Sequence, residues 1–220
     1  MKQVFWVFGF LILIVAIFGV AWMVRVPAVV ITKEEAVSVS IPFPIDQRLR
    51  QGINECGPYS AAAAIAGVTG VFTDPREIVA STKWRLPSGG TLPWGMTAVL
   101  KDRDLSPREF TARHLSYNDR MRAVVSELQR GHPVILLGRK EGTLHYITVL
   151  GYDRETDTFH LYDSWYPQGD DGHTIDDNGA ESGNRTLSRS ELLSFWQGGG
   201  VGPFYRWYGI AVASSANESS

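Results

Sequence analysis

The chain's single cysteine, Cys56, stands at the mouth of an alanine-rich segment, in the run Gln51-Gly52-Ile53-Asn54-Glu55-Cys56-Gly57-Pro58. Residues 56–66 read as a helix with Pro58 tolerated in its first turn. A thiol at that position faces the free N–H groups and positive dipole end of the helix, which favour thiolate over thiol. A thiolate is a nucleophile, and the reaction it would run is acyl transfer. The bland alternative is a structural cysteine, buried as a small hydrophobe.

Two further groups fall where they could serve that thiol. His145 opens the apolar run His145–Tyr152, and Asp163 follows the run Thr158–Tyr162. Both runs read as strands, and the polar turn 153–157 between them predicts an antiparallel hairpin. Antiparallel pairing brings His145 and Asp163 to the same edge. The carboxylate could then hold one ring nitrogen while the other faces Cys56. Taken alone, His145 reads equally well as a hydrogen-bonded core or surface imidazole. The agreement of three positions in one geometry is the stronger signal.

The elements that must position these groups are legible in outline. Asp74-Pro75-Arg76-Glu77 is a helix start, with Asp as cap and Pro at the first position. A short helix is expected over 93–101. Another over 119–130 carries Met121, Val124, Val125 and Leu128 on one face and stops at Gly131. Strands are expected over 133–138, 145–152 and 158–162. A helix capped by Ser188-Arg189-Ser190-Glu191 and a closing strand over 205–213 follow. Helices first and an antiparallel sheet after predict an α+β domain.

At 220 residues, 44% hydrophobic and 20% charged, the chain has material for one sizeable core, and disordered or low-complexity architectures are excluded. A net charge of −2 leaves no global basic footprint, so no nucleic-acid partner is expected. One cysteine rules out an intramolecular disulfide and a thiolate metal cluster. The acidic stretch 168–181 lacks the ligand spacing of an EF-hand and reads as a solvated loop flanking the site. No cofactor and no metal are called for, and a monomer is expected.

The first twenty-five residues are a different material. Val4 to Val24 carries no charge, is bracketed by Lys2 and Arg25, and has Trp6 and Trp22 near its ends. As a helix it would rise about 30 Å, the thickness of a bilayer's hydrocarbon core. Residues 1–25 therefore read as a transmembrane anchor or a signal segment, with small residues at 26–28 admitting cleavage. An uncleaved single-pass anchor in the cell membrane, with the bulk of the chain outside the cytoplasm, is the expectation. Residues 26–45 read as a stalk, 46–213 as one domain and 214–220 as a flexible tail.

The domain resembles the C39-like branch of the papain-fold cysteine peptidases. The resemblance rests on Cys56-Gly57-Pro58 opening an alanine-rich helix, on His145-Tyr146-Ile147-Thr148-Val149-Leu150-Gly151-Tyr152-Asp153, on Tyr162-Asp163-Ser164-Trp165, and on the late segment 190–196. It implies a papain-like fold, Cys56 as nucleophile, His145 as general base and then acid, and Asp163 as the residue orienting the imidazole. It also implies an oxyanion-hole glutamine upstream of the cysteine, for which Gln51 is the candidate. Gln51 stands one residue nearer the cysteine than that pattern leads one to expect, and Glu55 stands where Asp or Asn is common. The implied activity is hydrolysis of a peptide or protein substrate. The same triad would also serve an acyltransferase or amidase, and the fold could persist as a silent binding module. Specificity is expected from the loops 84–95 and 167–185, with Trp165 beside the cleft.

Overall fold

The computed structural model describes residues 26–29, 37–167, 182–200 and 204–216. The expected membrane span 4–24, the acidic stretch 168–181 and residues 217–220 of the expected tail lie outside the described residues. Among the described residues no helix is long and apolar enough to cross a membrane.

The first helix, α1 (Cys56–Thr69), runs further than the alanine run alone, until Gly70 ends it with φ 70° and an N–H bonded to the Ala66 carbonyl at 2.8 Å. A residue without a Cβ reaches that left-handed conformation at no steric cost. Ala61, Ala63 and Ala64 are fully buried, their small side chains letting the helix lie close on the sheet. In α2 (Pro75–Ser81), Asp74 caps by accepting from the Arg76 N–H at 2.8 Å, and Pro75 takes the first position where no N–H is needed. The third helix, α3 (Pro93–Lys101), shares only the proline, starting on Pro93 after Leu92 with no side-chain cap. The fourth, α4 (Tyr117–Gln129), begins earlier than the apolar pattern implies because Ser116 caps it, accepting from the Asp119 N–H. In α5 (Arg189–Gln197), Ser188 and Glu191 form a reciprocal capping box.

Among the described residues, seven strands make one sheet in which every strand pairing is antiparallel: β1 (Val39–Ser40), β2 (Leu105–Thr111), β3 (Val134–Lys140), β4 (Thr143–Asp153), β5 (Thr158–Tyr162), β6 (Arg185–Ser188) and β7 (Tyr208–Ser214). The order is β2-β7-β3-β4-β5-β6, with β1 added to β4. Alternation splits the core in two. Ile135, Leu137, Tyr146, Ile210 and Val212 pack with Ile65, Ile78, Met96 and Leu100 of α1–α3. Val134, Leu136, Ile147, Val149 and Ala211 pack with Val124 and Leu128 of α4 and Leu192 and Trp196 of α5. Because both faces are covered, the central strands read as continuous apolar runs.

Three features differ from the sequence reading. The strand β2 falls between α3 and α4, so helices and strands are not cleanly segregated; it is an edge strand, where Pro107 removes no needed donor. The short β6 was also hidden, its four residues being too few to show a period. Of residues 26–45, expected as a stalk, the described ones, 26–29 and 37–45, contribute to the body instead. Val29, Ile41 and Phe43 are buried in its core, Ala28 bridges Thr111, and the Ile41 N–H bonds the Leu150 carbonyl at 2.8 Å. β1 and the Ile41 N–H pair with the end of β4 beyond its pairing with β3.

Away from the site, Glu127 is 1% exposed and meets Arg108 at 2.5 Å, Arg130 at 2.7 Å and His132 at 3.1 Å. Burial alone would raise its carboxyl, but the bonds from His132, Arg108 and Arg130 outweigh it and hold the group at about 2, below its ordinary 4.5. Its contribution to stability is therefore complete above the ordinary value and is lost as pH falls through the folded one. Thermal melts of the native chain and Glu127→Gln should differ most near neutrality. The gap should close as pH is lowered from about 4.5 towards 2.

Candidate active site

Cys56 is the first residue of α1 and is 8% exposed. The chain enters that helix through a tight turn in which Asn54 takes φ 58° and ties its amide to the Ser88 carbonyl at 2.7 Å. Glu55 folds back to accept the Gly52 N–H at 2.9 Å. Gly57 is required by packing: a Cβ there would sit 2.8 Å from Thr91 Cβ and 2.9 Å from Met96 Sδ. Hence the small residue after the cysteine.

His145 lies on β4 opposite Gly138 of β3. The pleat puts it on the face that α5 covers, and Phe195 of α5 stands edge-on to the imidazole, ring centroids 6.3 Å apart. Trp165 meets the same ring at 5.7 Å. Gly138 makes the room, since a Cβ there would fall 2.2–2.5 Å from the Phe195 ring.

Asp163 follows β5 and is fully buried. Its Oδ1 accepts from His145 Nε2 at 2.8 Å and from the Trp165 N–H at 3.0 Å. Its Oδ2 accepts from Lys140 Nζ at 2.7 Å and Arg185 Nη1 at 2.9 Å. Asn184 holds the backbone beneath: its Oδ1 accepts the Asp163 N–H at 2.8 Å and its Nδ2 donates to the Asp163 carbonyl at 3.0 Å.

With Nε2 committed to Asp163, Nδ1 is left to serve Cys56, which lines the same cavity as the imidazole. Burial pulls the His145 imidazolium down, but its bond to Asp163 and the neighbouring Cys56 more than reverse this and raise it to about 9. Burial likewise opposes ionisation of Asp163. The imidazole and the Lys140 ammonium overcome it and hold the carboxyl well below the usual carboxylate range. Both groups are thereby biased to their charged forms.

Gln51 sits at the edge of the same site. Its backbone N–H bonds the Ser164 carbonyl at 3.0 Å, its Oε1 accepts from Ser164 Oγ at 2.8 Å, and its Nε2 donates to the Gly52 carbonyl at 3.1 Å. With Gln51, Cys56, His145 and Trp165 it lines a cavity of about 300 Å³. A second cavity, about 340 Å³, meets the first at Cys56 and is walled by Leu86, Leu92, Trp94, Tyr146, Phe204 and Tyr205. The loop 84–95 thus borders the cleft as expected, as does Trp165.

All four sequence-derived site residues are brought together. Lys140, Arg185, Asn184, Phe195 and Gly138 were not legible from the sequence. Only the neighbouring Asn184-Arg185 after a glycine gave any local signal, and it resembles any strand entry.

A helix-borne thiol facing a sheet-borne imidazole and carboxylate is the arrangement of a cysteine peptidase on a papain-like α+β fold. The family model of the Peptidase_C39 like family matches residues 42–188, and the chain belongs to that family of cysteine peptidases. Among solved structures, the peptidase domain of Streptococcus ComA, a bi-functional ABC transporter involved in quorum sensing, is 15% identical with a TM-score of 0.44; the match covers 81% of this chain and 98% of that one. A Carica candamarcensis cysteine protease is 11% identical with a TM-score of 0.50, over 81% of this chain and 98% of that one. No curated protein matches the sequence significantly.

The fit of Gly138 beneath Phe195 is open to a direct test. In denaturant titrations Gly138→Ala should lose about 1–3 kcal/mol through overpacking, and adding Phe195→Leu should recover part of that loss.

Proposed function

We propose that this chain is a membrane-anchored thiol peptidase that cleaves peptide bonds through a Cys56–His145–Asp163 triad and an acyl-enzyme. The observation that carries the reading is the cavity that Cys56, at the start of α1, shares with His145, together with the bond from that imidazole to the buried carboxylate of Asp163. Cys56 Sγ attacks the scissile carbonyl carbon, and the negative charge passes to the carbonyl oxygen. The Cys56 backbone N–H and the second Nε2–H of Gln51 are the donors available to that oxyanion. His145 then delivers its Nδ1 proton to the leaving amine as the C–N bond breaks. The neutral imidazole next activates water to release the acyl group.

The two cavities meeting at Cys56 support an extended chain lying across the thiol. A bulky apolar substrate side chain would occupy the walled cavity beside Leu92, Trp94 and Phe204, burying its surface at about 25 cal/mol per Å². The uncharged run 4–24 supports the anchor.

With a randomised peptide library, cleavage should vanish in Cys56→Ala and fall by several orders of magnitude in His145→Ala. Cleavage sites should cluster beside large apolar residues. The imidazolium persists to about 9, so the alkaline limb of kcat/KM should lie near that pH. Full cleavage by Cys56→Ala, or a limb near the ordinary histidine value, would remove the triad from the mechanism.

A further inference from the structure

The apolar cavity beside Cys56 has an apolar rim. Trp84 is 61% exposed, and Leu86, Trp94 and Phe204 are exposed as well. The last three wall the cavity of about 340 Å³, and the Leu92 N–H bonds the Trp84 carbonyl at 3.2 Å, which brings Trp84 to the same border. Ile53, exposed too, lines the polar cavity on the other side of the thiol. The loop that carries three of these side chains is firmly built. Arg85 bridges Thr91, the Leu86 N–H bonds the Gly90 carbonyl at 2.7 Å, and Arg85 Nε donates to the Gly89 carbonyl at 2.8 Å. Contiguous apolar surface held open around a cleft marks an interaction site.

The chain enters the fold at this rim. The Pro27 carbonyl accepts the Thr111 N–H at 2.8 Å, and Ala28 bridges Thr111. Thr111 stands opposite Tyr208 of β7, and its hydroxyl donates to the Arg206 carbonyl at 3.0 Å. Val26 and Tyr205 pack against the same core cluster. Residues 26–28 are therefore fastened next to Phe204 and Tyr205, which wall the cavity. Such a connection has no slack. Between Val24, where the uncharged run ends, and Val26 the chain spans about 7 Å at most. The headgroup layer on each side of a bilayer is about 5–8 Å deep. Composition agrees: residues 83–101 and 198–216 hold Lys83, Arg85, Lys101 and Arg206 and no Asp or Glu, with Asp102 meeting Lys83 at 3.8 Å. Tryptophan among basic residues is the mixture that seats itself at a membrane interface.

We propose that the rim of Trp84, Leu86, Trp94 and Phe204 rests in the headgroup layer of the membrane that holds residues 4–24, so that the cleft opens onto the bilayer surface and takes peptide segments lying in that surface. The inference rests on the anchor reading of 4–24 and not on the triad. A peptide at the interface turns its apolar side chains towards the hydrocarbon. The apolar cavity then receives one of them directly from the lipid, without the side chain first passing into water. Confinement to the same surface also raises the effective concentration of such a substrate over that of a free peptide.

The test uses the full-length chain in vesicles of phosphatidylcholine and phosphatidylglycerol, with bromine on the upper acyl chain of the phosphatidylcholine as a contact quencher of indole fluorescence. Trp6→Phe and Trp22→Phe remove the indoles of the uncharged run. In that background the bromolipid should quench part of the emission, and most of that quenching should be lost in Trp84→Phe/Trp94→Phe. Should the double variant fail to fold, Trp84→Phe decides. One peptide is then offered both free and tethered to the vesicles by an acyl chain. Trp84→Ser should lower cleavage of the tethered form several-fold more than that of the free form, whereas a merely structural loss lowers both alike. Equal loss overturns the choice of substrate. A chain that floats with the vesicles yet shows no quenching at the rim overturns the membrane contact, leaves the anchor standing and makes the rim a surface for a protein partner. A chain that does not float overturns both. Quenching needs no cleavage, so it supports the membrane contact even if the triad reading fails.

Discussion

A bare carboxylate cannot be sunk in a protein interior; its lost hydration must be replaced by donors from the chain itself. Asp163 meets that constraint with hydrogen bonds from His145 on β4, Lys140 on β3, Arg185 on β6 and the backbone of Trp165. Those donors arise from three strands and one loop. The order β3-β4-β5-β6 is the arrangement that lets them converge on the end of β5. Asn184, bonded to the Asp163 main chain on both sides, fixes the direction in which the carboxylate points. The helices then have a defined target, and α1 brings the thiol to it.

The thiol side depends on close packing rather than charge. The alanine face of α1 and the bare Cα of Gly57 allow the helix start to approach the loop 84–92, and Asn54 fastens the preceding turn to Ser88. Gln51 is fastened in turn to Ser164, the residue after Asp163. Gln51 and the carboxylate are thus held by consecutive positions of one segment, and Gln51 lines the polar cavity with Cys56. The apolar cavity on the other side is walled by the fold's own aromatic residues.

Much of this was legible before any coordinates. The helices α1, α2, α3 and α5 announce themselves through caps and prolines, and β3, β4 and β5 through apolar runs. The pairing of His145 with Asp163 follows from the polar turn between two strands. What was hidden had physical reasons to be. An edge strand such as β2 buries only a few side chains and tolerates Pro107, so its composition resembles a loop. Residues 26–45 have the prolines and β-branched residues of a tether, yet Val39–Ile41 within them pair with the end of β4. Lys140 and Arg185 look like ordinary surface cations, because a charge's partner is set by strand register and pairing, not by its own neighbours in sequence. Gly138 is intelligible only once Phe195 is known to lie above it.

The solitary thiol has an oxidative corollary. If Cys56 is converted to a sulfenic acid, no second cysteine exists in the chain to condense with it as a resolving disulfide. Recovery then requires a low-molecular-weight thiol or another protein to reach the sulfur through the cleft, the same route a substrate takes. A peptide occupying that cleft would shield the sulfur from peroxide and from the reductant alike. In an oxidising compartment the lifetime of the active form is then set by how often the cleft stands empty.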